Sequence, residues 1–360
     1  MMRNGGTVRT HILVGMLVAV LLAACGSAGA TGDAGSTDDA AAQGAAADTL
    51  NLGYFPNVTH APALVGDRAG IFAEALGDDV ELKTQFFNAG PEATEALFGE
   101  AIDATFIGPN PAINAFAQSN GEAVRIVSGT TSGGAFLVVR KGIESVEDLR
   151  GATVASPQLG NTQDVALRAW LADEGMKTDE TGGGDVAIQP QANADALAAF
   201  VAGEIDGAWV PEPWATRMLR EGVGRVLVDE RDLWPDGAYV TTHLLVRTEY
   251  LQANPQIIKG LLTGLVEAIE LTTDDPAQAK KLVNDGIAEL TGEPIAPDVL
   301  DAAFQNLTFT TDPVAASLEE SKNDAVSIGL LDKVDLTGIH DLTLLNEVLS
   351  ERGAPSVEGL

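Results

Sequence analysis

The segment SPQLGNTQDVALRAWL, residues Ser156 to Leu171, decides the fold because it combines a strand end, a polar turn and a helix start. Residues 153–155 before it suit a buried strand, which Gly160 ends. Asn161 is a candidate N-cap, and Asp164 stands where the acid of a capping box belongs. Free backbone N–H groups at such a helix start favour an anion. We therefore predict that this turn lines a ligand site; an ordinary strand–helix corner is the alternative.

Strand-like and helix-like segments alternate on both sides of this turn, from Leu50 to Arg247. Repeated β–α units predict mostly parallel sheets flanked by helices. Beyond Pro255 the pattern becomes helical, and several segments carry Pro in the first turn. The sequence thus predicts an α/β fold with a helical C-terminal extension.

An internal echo suggests two equivalent halves. GEAIDATFIGPNP, from Gly99 to Pro111, resembles GEIDGAWVPEP, from Gly203 to Pro213. The plainer interpretation is that Gly-x-Ile-Asp before a strand is common in α/β units. Two such halves place four turns beyond strand ends, Phe55–His60, Gly108–Pro111, Gln158–Thr162 and Pro211–Trp214, where ligands of open α/β sheets bind. A cleft between two lobes follows if the halves face each other.

The start of the chain is predicted to lie outside the fold. Arg3 and Arg9 precede an apolar run from Ile12 to Leu22 that is too short for a typical transmembrane helix. The following LAAC resembles a bacterial lipoprotein processing site, which implies a signal peptide at 1–24 and lipidation of Cys25. An ordinary secretory leader with a chance cysteine is the alternative. Residues 25–48 are small and polar and predict a disordered tether.

Charge and cysteine usage exclude several classes of protein. The 360 residues carry a formal net charge of −31, so nucleic acid is not an expected partner. Cys25 is the single cysteine, which excludes an intramolecular disulfide and a cysteine metal cluster. The four histidines, His11, His60, His243 and His340, show no metal-ligand spacing. We predict no cofactor, no metal and no enzymatic activity.

The chain resembles the nitrate, sulfonate and taurine binding group of ABC-importer solute-binding proteins, over about Leu50 to Leu271. Six motifs carry the resemblance: 53–56 GYFP, 106–109 FIGP, 132–134 SGG, 145–151 SVEDLRG, 160–164 GNTQD and 210–214 VPEPW. The resemblance implies a two-lobed periplasmic-binding-protein fold, type II-like, joined by crossing strands near 132–138 and 239–245. We expect lobe 1 at 49–131 and 246–360, and lobe 2 at 132–245. It also implies a monomer that closes around one small solute and delivers it to a membrane permease.

One departure from the family limits what carries over. Relatives that bind sulfonates often have a Gly-Ser/Thr turn where this chain has Gly160-Asn161-Thr162. Thr162 can still offer a hydroxyl to an oxyanion, but none of the four turns supplies Lys or Arg. His60 is the nearest titratable candidate for a cation. The predicted substrate-binding residues are Tyr54, Phe55, Asn57, His60, Gly108, Asn110, Ser132, Gly133, Gln158, Asn161, Thr162, Gln163, Glu212, Trp214, Thr241 and Thr242.

Several of these residues have a structural alternative. Glu212 either contacts ligand or fixes a lobe, because a carboxylate beside an anion site costs affinity. Trp214 is either a residue of the cleft wall or core, or a ring on which the ligand stacks. The segment 132–134 is either a hinge between the lobes or a contact with the ligand. Asp164 is expected to complete a cap with Asn161 rather than touch ligand.

The leading functional prediction is an extracytoplasmic receptor, lipid-anchored at the cell membrane, for a small sulfonate-like anion. Taurine, nitrate or bicarbonate are alternatives for the solute. An aromatic thiamine-precursor pyrimidine is another, and it would stack on Tyr54, Phe55, Trp209 and Trp214. Less favoured alternatives are an enzyme of precursor biosynthesis on the same scaffold and an adhesive surface protein.

Overall fold

The computed structural model describes residues 48–179 and 181–360. The predicted signal peptide, Cys25 and nearly all of the predicted tether lie outside these residues. The strands are β1 Thr49–Tyr54, β2 Glu81–Phe86, β3 Ala104–Ile107, β4 Val124–Gly133, β5 Ala135–Arg140, β6 Thr153–Ser156, β7 Ala187–Pro190, β8 Gly207–Pro211, β9 Gly224–Asp229, β10 Val240–Arg247 and β11 Leu307–Phe309.

The helices follow the predicted alternation. They are α1 Ala61–Arg68, α2 Ile71–Leu76, α3 Gly90–Phe98, α4 Pro109–Gln118, α5 Thr162–Asp173, α6 Asn193–Ala202, α7 Trp214–Arg220, α8 Thr248–Ala253, α9 Pro255–Asp274, α10 Pro276–Thr291, α11 Pro297–Gln305, α12 Ala315–Ser327 and α13 Thr343–Glu351. Short 3-10 turns lie at Val58–His60, Glu147–Leu149, Glu230–Leu233 and Pro235–Gly237. None of the helices in the described ranges combines the length and the apolar character needed to cross a bilayer.

Two sheets form two lobes. The first lobe is built on the order β11-β4-β10-β3-β1-β2 and the second on β7-β6-β8-β5-β9. In the first sheet β1 pairs in parallel with β2 and β3, and β10 runs antiparallel between β3 and β4. In the second sheet β6 pairs in parallel with β7 and β8, and β5 runs antiparallel between β8 and β9. Most strands of each sheet therefore point the same way, as predicted.

The chain passes from one sheet to the other at Gly133 and Gly134. Both have positive φ, 82° and 80°, a conformation that glycine adopts without strain. A Cβ on Gly134 would also collide with the side chain of Leu307. The chain returns through β10, where Thr241 Oγ1 donates to Gly133 O at 2.6 Å. The predicted lobe boundaries, 131/132 and 245/246, fall inside β4 and β10 of the first sheet and stay predictions.

The internal echo has the same geometry in both sheets. Asp103 precedes β3, and its Oδ2 accepts the backbone N–H of Asn51 in β1 at 2.9 Å. Asp206 precedes β8, and its Oδ2 accepts the backbone N–H of Thr153 in β6 at 2.8 Å. In each lobe the repeated Asp thus ties the starts of two parallel strands, so the turns beyond β1, β3, β6 and β8 occupy equivalent places.

The helical extension covers the first sheet. In α9 the buried residues Ile258, Leu261, Leu262 and Leu265 recur at helical spacing and join the same core as Leu50 and Leu52 of β1. The second sheet is buried on both faces. Leu167 and Leu171 of α5 pack with Trp209 on one side, while Phe200 and Met218 pack with Val210 on the other.

The sequence pattern predicts one helix over about 61–76 and another over 313–328, and both differ from the observed helices. The helix predicted over 61–76 is interrupted at Gly70, whose φ of 74° ends α1 and starts α2. The helix predicted from Pro313 begins only at Ala315. Val314 has a φ of 47°, which lies outside the range of a right-handed helix, so the helix starts after this residue. Strand β11 was not predicted; it is short, and it pairs with β4 only through the tertiary fold.

Candidate functional site

A small cavity lies where the strand-end turns of the two lobes meet. Its volume is about 20 Å³, which is room for little more than one water molecule. The first lobe contributes Phe55, Asn57, Thr59, His60, Asn88, Gly108 and Thr241, and the second contributes Asn161, Thr162, Gln163, Asn193 and Pro211. We call these twelve residues the oxyanion cleft, after the ligand class expected from the sequence; they combine amides, hydroxyls and helix starts.

The oxyanion cleft carries no formal charge. Its one titratable side chain is His60, which is 3 % exposed, and burial lowers the pKa of His60 to about 3. His60 Nδ1 accepts the backbone N–H of Phe55 at 3.4 Å, and the two rings stack with centroids 4.4 Å apart. The neutral ring therefore keeps its proton on Nε2, so His60 can act as a hydrogen-bond donor but not as a cation.

Two polar atoms of the oxyanion cleft have no hydrogen-bond partner. Thr162 Oγ1 and Asn193 Oδ1 are both buried and both unsatisfied. Burying such a group without a partner costs on the order of 1–3 kcal/mol, so an unsatisfied hydroxyl lining a cavity points to a ligand. Thr162 also opens α5, and the first N–H groups of a helix have no acceptor within the helix.

The loop before α5 is held by Asp164, but not as a capping box. Asn161 is the N-cap residue, yet its side chain makes no capping hydrogen bond. Asp164 instead accepts from Ser156 Oγ at 2.6 Å and from Gly160 N at 2.9 Å. Its charge is balanced by Arg168 Nε at 3.0 Å, and both side chains are buried. The predicted cap between Asp164 and Asn161 is therefore wrong. The carboxylate of Asp164 pairs with the buried guanidinium of Arg168, and Asn161 lines the cavity.

The two lobes touch across the cleft. A Cβ on Gly108 would collide with Thr162 Oγ1, so only glycine permits this approach of the α4 start to the α5 start. Trp214 Nε1 donates to Asn57 Oδ1 at 2.9 Å, and Gln158 Nε2 donates to Glu92 Oε1 at 2.6 Å. Each of these bonds joins the second lobe to the first, so the structure represents a closed state.

Glu212, the carboxylate expected near the site, does not line the cavity. It is fully buried, and its Oε1 accepts from Thr216 Oγ1 at 2.8 Å and from Asn306 Nδ2 at 2.7 Å. Burial raises the pKa of Glu212, against the hydrogen bonds from Thr216 and Asn306. These contacts tie β8 to the end of α11, which fits the lobe-fixing alternative.

Of the predicted site residues, Phe55, Asn57, His60, Gly108, Asn161, Thr162, Gln163 and Thr241 line the cavity. The others do not line it. Tyr54 OH donates to Asp67 at 2.6 Å, Asn110 Nδ2 donates to Ser321 O at 3.1 Å, and Thr242 Oγ1 donates to Thr59 O at 3.1 Å. Ser132 and Gly133 belong to the end of β4 at the crossing. Gln158 and Trp214 form the cross-lobe bonds described above.

Four lining residues were not predicted: Thr59, Asn88, Asn193 and Pro211. Thr59 and Pro211 lie inside turns that were singled out, and only the choice of residue was missed. Asn88 and Asn193 follow β2 and β7, the edge strands of the two sheets. Both precede or open a helix, α3 and α6, and that position was the available signal.

The chain matches a protein-family model described as the NMT1-like family over residues 43–285. The taurine-binding periplasmic protein of Escherichia coli is 27% identical over 74% of this chain and 80% of its own length. Four proteins from Brucella, provisionally named as binding proteins, are 25% identical, and the chain spans 60% of their length.

Solved structures with the same architecture include two binding proteins. The periplasmic aliphatic sulphonate binding protein of Escherichia coli has a TM-score of 0.66 and 25% sequence identity, over 83% of this chain and 99% of that one. The periplasmic nitrate-binding protein of Synechocystis has a TM-score of 0.72 and 17% identity, over 86% of this chain and 90% of that one. The nitrate-binding structure supports the fold alone.

Proposed function

Because the chain belongs to the NMT1-like family, we propose that it is an extracytoplasmic solute receptor of an ABC importer and that it binds a small oxyanion, foremost a sulfonate, in the oxyanion cleft. The observation that carries this proposal is the unsatisfied hydroxyl of Thr162 at the start of α5. A sulfonate oxygen would accept from this hydroxyl and from backbone N–H groups of the same helix start.

The neutrality of the oxyanion cleft supports an anion held by dipoles. Thr162 and His60 offer a hydroxyl and an imidazole donor, and Asn161 and Gln163 offer amides, whereas the hydroxyl of Thr241 already donates to Gly133 O. Within residues 48–179 and 181–360 no carboxylate lines the cavity to repel an anion, and Glu212 is hydrogen-bonded to Thr216 and Asn306 instead. Preorganised dipoles in a water-poor cavity can replace the hydration of an anion without a full positive charge.

The names of relatives support the sulfonate assignment. Two of the relatives described above are named for taurine and for aliphatic sulphonate, and both are named as binding proteins rather than for a reaction. This supports the expectation that the chain is not an enzyme. It also supports a periplasmic or otherwise extracytoplasmic location and a permease as the partner. Lipidation of Cys25 and a monomeric state stay proposals drawn from the sequence.

A second candidate is a receptor for a still smaller oxyanion, nitrate or bicarbonate. The observation that favours it is the small volume of about 20 Å³, because the lobes would have to move apart less to admit a planar anion of four or five atoms than to admit a sulfonate with a long tail. A pyrimidine receptor finds less support. Trp214, the proposed stacking platform, donates its Nε1–H to Asn57 and does not line the cavity.

Calorimetric titration of the purified protein separates these candidates. The panel is methanesulfonate, taurine, nitrate, bicarbonate and the thiamine-precursor pyrimidine, at constant ionic strength. The proposal predicts saturable binding of methanesulfonate or taurine, and the second candidate predicts that nitrate or bicarbonate binds tightest. Binding of the pyrimidine alone, or of none of the five, would overturn the oxyanion assignment.

A further inference from the structure

A second and larger cavity lies outside the oxyanion cleft. Its volume is about 650 Å³, and it opens between α5, the segment 230–238 and α12. Two indole rings, Trp170 and Trp234, form part of its wall together with alanine side chains of α5 and α12. This acidic cavity, as we call it, shares none of its lining residues with the oxyanion cleft.

Both indoles are held in place by a second aromatic ring. Trp234 stacks on Tyr239 with centroids 5.6 Å apart and planes at 16°, and Trp170 lies 5.9 Å from Trp209 at 60°. Rings fixed in this way keep their orientation without a ligand. The π face of an indole attracts cations more strongly than that of any other side chain.

The lining is rich in acidic side chains. Asp173, Glu230, Glu320 and Asp324 line the acidic cavity, and among the residues that the structure describes no Lys, Arg or His does so. None of these four carboxylates takes part in an ion pair within the described part of the chain. Glu230 is 2 % exposed, and its Oε2 accepts from Trp209 Nε1 at 2.7 Å, so a buried carboxylate stands in the wall without a cation.

The carboxylates repel one another across the cavity. Burial raises the pKa of Asp324 to about 6, and repulsion by Glu320 and by Asp173 on the facing helix adds to the effect. Burial likewise raises the pKa of Glu230 to about 7, with a contribution from Asp324. Negative charges that face each other from α5 and α12 disfavour the contact between these helices unless a positive charge lies between them.

We propose that the acidic cavity is a binding site for an organic cation, an ammonium or quaternary ammonium group on a small apolar body. The indoles and carboxylates would hold the charge, and the alanine walls would pack on the body. A bare divalent metal ion fits less well, because no group of three or more metal-ligating side chains comes together among the described residues. This proposal does not depend on the proposed function of the oxyanion cleft.

The test uses choline chloride as the cation and 3,3-dimethylbutan-1-ol, in which a tert-butyl group replaces the trimethylammonium group, as its neutral isostere. We expect the wild-type chain to bind choline saturably in calorimetry and to bind the isostere at least about tenfold more weakly. Asp324→Asn and Trp234→Leu should each weaken choline binding on the order of tenfold.

The matched control is Glu174→Gln, which removes one charge next to Asp173 at an exposed position outside the cavity lining. It should leave choline binding unchanged. Thermal unfolding of each variant, with and without choline, checks that the variant is folded and reports binding independently. The proposal is overturned if wild-type chain gives no saturable binding, if the isostere binds equally well, or if Glu174→Gln weakens binding as much as Asp324→Asn does.

Discussion

The hydroxyl of Thr162, at the start of α5, lies directly against Gly108, at the start of α4. The two residues belong to different lobes, and each follows a strand of the repeated β–α unit. Their contact is the point at which the helix starts of both lobes converge. Both residues also line the cavity, so changes at this contact should act on lobe closure and on ligand affinity together.

Gly108→Ala should prevent full closure. Gly108 has a φ of −73°, which alanine adopts freely, so the added Cβ acts only through its collision with Thr162 Oγ1. We expect oxyanion affinity to fall by at least about tenfold, because near-ideal geometry across the cleft is lost. Calorimetry measures the affinity, and small-angle scattering of the ligand-saturated protein measures the closure.

The matched control for this change is Gly99→Ala. Gly99 also has negative φ, −81°, and ends α3 away from the cleft. Its variant should bind as the wild-type chain does. If Gly108→Ala binds and closes like the control, the contact between the two helix starts is not what limits the cleft.

Trp214→Phe should weaken binding only moderately. The change removes the hydrogen bond from Trp214 Nε1 to Asn57 Oδ1, one of the bonds that join the closed lobes, while an aromatic ring remains. A net hydrogen bond contributes about 0.5–1.5 kcal/mol, so we expect an affinity about two- to tenfold lower. A loss above about a hundredfold in titration would show that the indole contacts the solute, as the pyrimidine alternative requires.

The strand-end rule predicted most of the oxyanion cleft from sequence. Phe55, His60, Gly108 and Thr162 all lie in turns after strands, and these turns meet at one place in the structure. The rule does not say which side chain of a turn faces the cavity. Tyr54 turns to Asp67, and its partner is set by tertiary packing rather than by local pattern.

Distant parts of the chain decide the remaining positions. Asn110 opens α4 as predicted, yet it donates to Ser321 of α12, more than two hundred residues away. Glu212 is satisfied by Asn306 at the end of α11. The placement of the C-terminal helices on the first lobe was not predictable from periodicity, so these partners could not be named. The acidic cavity was missed for the same reason, because α12 supplies one of its walls.

Acid should destabilise the protein partly through His60. Burial stabilises its neutral form and lowers the pKa of His60 to about 3, against about 6.5 in an unfolded chain. The loss of unfolding free energy caused by this pKa difference is absent above pH 6.5 and grows as the pH falls toward 3. At pH 5 the loss amounts to about 2 kcal/mol of unfolding free energy.

His60→Gln isolates this effect, because glutamine can still accept from Phe55 N–H but does not titrate. Glu230 and Asp324, whose pKa values are raised, act in the opposite direction and are common to both proteins. When the pH is lowered from 7.5 to 5, the unfolding free energy of His60→Gln should rise by about 2 kcal/mol relative to that of the wild-type chain, as measured by denaturant unfolding. Parallel stability curves across this range would mean that His60 is not a buried neutral histidine.

In the proposed receptor the buried hydroxyl of Thr162 is reserved for the ligand, and Thr162→Val tests this role. Valine keeps the shape and removes an unsatisfied polar group, so the ligand-free protein should be as stable as the wild-type chain or more so. A hydrogen bond to a charged acceptor contributes about 1.5–3 kcal/mol, which predicts a loss of oxyanion affinity of about ten- to a hundredfold. Thr263→Val, in α9, serves as the control, because Thr263 Oγ1 already donates to Lys259 O.

The deciding measurement is therefore the affinity of Thr162→Val for the tightest-binding oxyanion, taken together with its unfolding free energy without ligand. We expect weaker binding of the oxyanion without any loss of unfolding free energy. Wild-type affinity in Thr162→Val, or a loss of stability with unchanged affinity, would contradict it.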